Sequence, residues 1–159
     1  MTPLLLLAFP LLLAGAGADA GEASCPPGWL SGPPDIGCLL LASDPTTWQG
    51  GLDLCSAEDS RLLQLQTVEQ WQHVVEVVEE LAVTEGGRRW WTAASDLEQE
   101  GRWVYSGTGD EVPAFLWDEG RPLVDNTREN CLVLNYGSGY LGVDIVCTNY
   151  YYPLCQRMF

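Results

Sequence analysis

The sequence predicts an α+β domain stapled by disulfides, and three observations lead there. Two stretches carry apolar residues at helical spacing, and the remainder reads as short strands between Gly-rich turns. Six cysteines, an even number, follow an N-terminal export signature. About 139 residues remain beyond that signature, which fits one domain with one core.

The export signature is the apolar run Leu4–Leu13, interrupted by Pro10 and followed by the small-residue site Ala18-Asp19-Ala20. The run falls short of the roughly 20 apolar residues that a bilayer requires. Residues 1–20 are therefore expected to be a secretory signal peptide, and the protein is expected to be secreted and extracellular. No later segment is apolar enough to be a membrane span.

Beyond it, Cys25 to Cys38 is rich in Gly and Pro, with Trp29 as a core anchor. Trp48, Leu52 and Cys55 fall at i, i+4 and i+7, which predicts a helix starting near Thr47 with Cys55 facing inward. Gly50 and Gly51 cost it up to about 1 kcal/mol each relative to Ala, so the helix is expected to be short. Arg61–Gln66 reads as a strand. Thr67 and Gln70 have capping-box spacing, and Trp71, Val74, Val75, Val78 and Leu81 form the apolar stripe of a second helix that ends at Gly86-Gly87. Glu69, Glu76, Glu79 and Glu80 lie off that stripe.

Trp90–Asp96 and Glu100–Gly109 read as strands, with Trp103 and Tyr105 on one face and Phe115 and Trp117 extending the aromatic cluster. The last third is a long polar loop from Trp117 to Cys131, followed by strands. Leu132–Leu134 and Leu141–Val146 flank the tip Tyr136-Gly137-Ser138-Gly139-Tyr140, and Tyr150-Tyr151-Tyr152 begins a third strand.

Charge narrows the partners. Twenty-two acidic residues face seven Arg and no Lys, a net charge of -15 that repels phosphate backbones, anionic lipids and polyanionic glycans. Nucleic acid is excluded on that ground. The scattered acids read as a solvated surface. His73, the single histidine, has no cysteine, histidine or serine at a suggestive spacing, so it reads as a surface residue, and a hydrolase or zinc site is not expected. Asn126-Thr127 is followed by Arg128, so no glycosylation sequon forms there.

The Trp91, Gly101-Arg102-Trp103-Val104-Tyr105, Arg121-Pro122-Leu123, Glu129-Asn130-Cys131 and Asp144-Ile145-Val146-Cys147 landmarks, in this order, resemble the C-type lectin-like domain. The spacing from Trp91 through Asp96-Leu97 to Glu100-Gly101 is similar to secreted arthropod members. The resemblance covers Cys25 to Cys155 and implies a C-type lectin-like fold over residues 25–159, in the long form with an N-terminal hairpin. In that fold two helices flank small antiparallel sheets. It further implies the disulfides Cys25–Cys38, Cys55–Cys155 and Cys131–Cys147, and a cis bond before Pro122.

In sugar-binding relatives a Glu-Pro-Asn loop, an acidic residue before a cysteine and a Trp-Asn-Asp motif hold calcium. Here those positions fall on Arg121, Pro122 and Leu123, on Glu129, and on Gly142, Val143 and Asp144. Calcium takes six to eight hard oxygen ligands, and a cation at Arg121 opposes it. The resemblance thus implies a degenerate calcium site, with no cofactor and at most weak residual Ca²⁺ at Asp144 and Glu129. An Arg121–Asp144 pair replacing the ion is the corresponding expectation.

The remaining ligand-binding candidates are Asp125, Asn126, Tyr136 and Tyr140. Tyr136, Tyr140 and Trp117 are the rings available to stack on sugar without calcium, unless the two tyrosines merely flank the hairpin tip. The functional expectation is a non-enzymatic, secreted recognition module that binds carbohydrate or microbial surface glycans in innate defence. The alternative is calcium-independent binding of an extracellular protein ligand. The sequence specifies no oligomeric state.

Overall fold

The computed structural model describes residues 24–159. The expected signal peptide, residues 1–20, lies outside the described residues. Two helices and eight strands follow in the order β1 (Leu30–Ser31), β2 (Cys38–Leu41), α1 (Trp48–Ala57), β3 (Arg61–Leu62), α2 (Val68–Glu85), β4 (Arg89–Ser95), β5 (Val104–Tyr105), β6 (Cys131–Asn135), β7 (Leu141–Ile145) and β8 (Tyr152–Arg157).

Local chemistry explains both helices. Thr47 caps α1 by accepting from the Gly50 N–H at 3.2 Å. Thr67 and Gln70 form the reciprocal capping box that opens α2, and Gly86 takes a positive φ of 80° at its end. On the stripe of α2, Val74 and Val78 are fully buried, while Trp71, Val75 and Leu81 pack half-buried against the core.

The sheet runs β1-β2-β8-β4-β6-β7, with β3 also pairing β8 and β5 pairing β4. It is mixed rather than wholly antiparallel: β4 and β8 run parallel, with Trp90 opposite Tyr152 and Trp91 opposite Pro153. The chain between them is long enough for the crossover that a parallel pair requires. The predicted strand over Arg61–Gln66 shrinks to Arg61–Leu62. Beyond it Leu63 makes a single bridge to Thr92, and Gln64 turns its amide onto the Ser106 carbonyl at 3.1 Å.

Tryptophan indoles bolt the layers together. Trp48 donates to the Thr92 carbonyl at 2.8 Å, Trp91 to the Thr46 carbonyl at 2.8 Å, and Trp71 to the Tyr140 carbonyl at 2.9 Å. Each indole buries a large apolar surface and satisfies its N–H, so its position is fixed in more than one direction. Cys25–Cys38 staples the N-terminal hairpin, Cys55–Cys155 joins α1 to β8, and Cys131–Cys147 joins β6 to the segment after β7. His73 is not the surface residue its acidic helix suggests. It is half-buried, and its Nε2 is covered beside Gly32 without a hydrogen-bond partner.

The buried Tyr105 hydroxyl is used twice. It donates to the Leu65 carbonyl at 2.7 Å and accepts from the Leu65 N–H at 3.2 Å. Tyr105→Phe leaves both backbone groups buried without a partner and should cost about 1–3 kcal/mol in chemical denaturation. Burial also holds the Tyr105 and Tyr140 phenols above their ordinary value. A raised pKa makes this stabilisation complete below the unfolded-state value and lost as pH rises through the folded-state value. Unfolding midpoints should therefore begin to fall above about pH 10, and Tyr105→Phe should flatten the decline.

Candidate functional site in the long loop

The end of the β6–β7 hairpin and the long loop build one polar cluster. Cys131 pairs with Ile145 and Leu132 with Asp144, which puts the Asp144 carboxylate under the loop. The loop is pinned above β7 where Trp117 bridges Gly142 and the Asp118 N–H donates to the Gly142 carbonyl at 2.9 Å. A side chain at Gly142 would meet the Leu116 carbonyl at 3.0 Å, so any larger residue here would have to push that backbone away by a few tenths of an ångström.

Asp144 is 1% exposed and both its oxygens are occupied. Arg121 Nη1 donates to Oδ1 at 2.8 Å, and the Leu123 N–H donates to Oδ2 at 2.9 Å. The same guanidinium nitrogen reaches Glu129 Oε2 at 3.3 Å, and that oxygen also accepts from Asn126 Nδ2 at 2.6 Å. Arg121 thus stands between the two carboxylates, and the Arg121-Pro122 bond beside it is cis.

Electrostatics agree with this clasp. Partial burial works against the Arg121 charge, but the hydrogen bond and charge of Asp144, together with Glu129, hold its pKa above the ordinary value. A calcium ion at Asp144 and Glu129 would have to displace a guanidinium, a backbone N–H and an amide. It would then find Leu123 and Val143 where it needs oxygen. Among the described residues, no group of three or more His, Cys, Asp or Glu is arranged to hold a metal ion.

The other candidates scatter. Asn126 belongs to the clasp, and its Oδ1 accepts from the Arg128 N–H at 3.3 Å. Asp125 is exposed, with a positive φ of 57°. Leu123 is also exposed, and Val143 is half-buried opposite Val133. Tyr140 is a correction: it is 1% exposed, its hydroxyl donates to the Val78 carbonyl at 3.4 Å, and it cannot stack on a ligand. Tyr136 is exposed but sits at the far end of β6. There its ring lies over Gly87, where a Cβ would come within 2.1 Å of it.

Two features of the site escape a reading of sequence pattern. The Asp96 N–H donates to the Asn130 carbonyl at 3.2 Å, tying the turn after β4 to the loop. There Asp96 Oδ1 and Asn130 Oδ1 are buried without a hydrogen-bond partner. The second feature is an open groove beside Pro122, lined by the partly exposed Trp117 with the buried Trp103 behind it.

The Lectin C-type domain family matches residues 44–157. This chain belongs to the C-type lectin domain family. It is 33% identical over 116 residues to Salivary C-type lectin 1 of Aedes albopictus, covering 70% of this chain and 76% of that protein. Similarity to C-type lectin lectoxin-Phi1 of Philodryas olfersii is 30% over 138 residues, covering 87% and 83% of the two chains. The crystal structure of human lithostathine superposes with a TM-score of 0.76 at 20% identity, covering 92% of this chain and 99% of that one, which shows the shared fold. C-type lectin domains are binding modules with carbohydrate recognition in the family. No helix among the described residues is long and apolar enough to cross a membrane.

The clasp predicts its own mutational signature. Arg121→Met leaves the buried Asp144 carboxylate without its cation and should cost about 2–4 kcal/mol in denaturant unfolding. Leu123→Ala keeps the backbone donor to Asp144 and should cost well under about 1 kcal/mol.

Proposed function

We propose that this chain is a secreted recognition module that binds its ligand without calcium, and that the ligand is an extracellular protein. The observation that carries the reading is the Arg121 clasp. A guanidinium occupies the space between Asp144 and Glu129 that a cation needs, and protein donors use both oxygens of Asp144. A fixed positive charge there supplies what an exchangeable ion supplies elsewhere, so the loop is held without a metal.

The protein-ligand reading is supported by the surface the clasp organises. Leu123 and Val124 stand 44% and 87% exposed at the loop tip, next to the groove floored by tryptophan. Adjacent exposed apolar side chains on a braced loop suit a protein interface. Glycan binding in innate defence, the leading expectation from sequence, becomes the second reading. It is favoured by relatives named as salivary C-type lectins. It falls behind because Tyr140 is buried and Tyr136 is remote, which leaves Trp117 as the one proposed sugar-stacking ring beside the loop.

Thermal unfolding in excess Ca²⁺ and in chelator tests the core of this reading. Ligands that bind only the native state stabilise by about 2.7 kcal/mol at a hundredfold excess over Kd. Coincident curves are expected. A clear upward shift in Ca²⁺ would overturn the metal-free reading, and sugar-inhibitable, calcium-dependent binding on a glycan array would overturn it independently.

A further inference from the structure

The groove beside the clasp has a defined chemistry of its own. It encloses about 510 Å³, between the turn at Gln99–Trp103 and the segment from Glu111 to Trp117, with Pro122 at its edge. Trp103 and Trp117 meet edge to face with centroids 4.8 Å apart. The walls are held in register by the Val104–Glu111 bridge and by the Val112 N–H, which donates to the Trp103 carbonyl at 3.0 Å. Glu100 and Glu111 stand exposed on the rim.

The charges there are unbalanced toward the negative. The Glu100 carboxyl is held above its ordinary value by desolvation and by the charges of Asp96 and Asp125, so three acidic groups share one field. Asp96 Oδ1 beneath them has no partner. Arg102 is the one cation lining the groove, while the nearby Arg121 is already committed to Asp144 and Glu129. Across the whole chain, a net charge of -15 without a single Lys repels anionic partners and attracts basic ones.

Aromatic faces flanked by carboxylates recognise cations on flexible stems. The indole quadrupole attracts an ammonium or guanidinium, and the carboxylates pair with it at the rim. We propose that this groove is the docking site for a basic segment of a protein partner, with an Arg or Lys side chain lying over the partly exposed Trp117, which packs on the buried Trp103, between Glu100 and Glu111. The apolar tip Leu123-Val124 receives the residues beside it. This inference rests on the protein-recognition reading above and names the chemistry of the partner.

The test is selection of random dodecapeptides displayed on phage against the disulfide-bonded chain in chelator, with counter-selection on the double variant Glu100→Gln/Glu111→Gln. Both substituted side chains are exposed, so the variant should fold, and circular dichroism checks that it does. Enriched peptides should carry Arg or Lys. A synthetic peptide of the consensus should lose about tenfold in affinity on the double variant, and similarly on Trp117→Ala. The variant Glu76→Gln/Glu79→Gln, which removes the same charge from α2, should change affinity by less than about twofold.

No enrichment, a consensus without basic residues, or equal weakening by the α2 variant would each overturn the proposal. None of those results touches the metal-free reading, which the melting curves in Ca²⁺ decide separately.

Discussion

The pairing of β8 is the constraint on which the rest of the structure depends. Its six residues lie against β2, β3 and β4, so the last strand of the chain occupies the middle of the sheet. Strands β2, β3 and β4 therefore lack a neighbour until β8 is in place. The Cys55–Cys155 bridge makes that arrangement permanent, since it fixes α1 to β8 across a separation of 100 residues. A loop of that length gives a crosslink its largest effect on the unfolded ensemble, about 4–5 kcal/mol on the chain-entropy account.

That central strand also positions the site. Parallel pairing of β4 with β8 leaves the other edge of β4 free for β6, and β6 carries β7. The β6–β7 hairpin then projects Asp144 toward the long loop, which Cys131–Cys147 closes from below. The clasp of Arg121, Asp144, Glu129 and Asn126 sits at the end of a rigid ladder rather than on a free loop. A carboxylate as buried as Asp144 must be neutralised where it stands, and Arg121 does so with a charge that does not dissociate. This chain braces its long loop with a covalently attached cation, the feature on which the proposed metal-free recognition rests.

Much of this was legible in the sequence, and the reasons differ by element. The capping box of α2 was readable because local hydrogen bonds depend on residues three apart. The exchange of calcium ligands for Arg121 and Leu123 was readable from the family resemblance, and so was the Arg121–Asp144 pair, because opposite charges at two ligand positions have each other as nearest partners. The strand over Arg61–Gln66 was over-read, since alternating apolar residues do not reveal that Gln64 will turn its amide onto Ser106.

The sequence by itself determined the family, the helices and the replacement of ligands in the loop, because each rests on residue identity or on neighbours a few positions apart. Tertiary structure alone decided which aromatics face solvent. Tyr136 and Tyr140 are four residues apart and chemically identical, yet one lies exposed over Gly87 and the other is sealed beneath α2. Trp103 is core, as its alternation with Tyr105 suggests, while Trp117 packed edge to face against it keeps part of its ring open to a groove beside Pro122. Burial depends on segments that are distant in the chain and adjacent in space, so no periodicity in the sequence can report it.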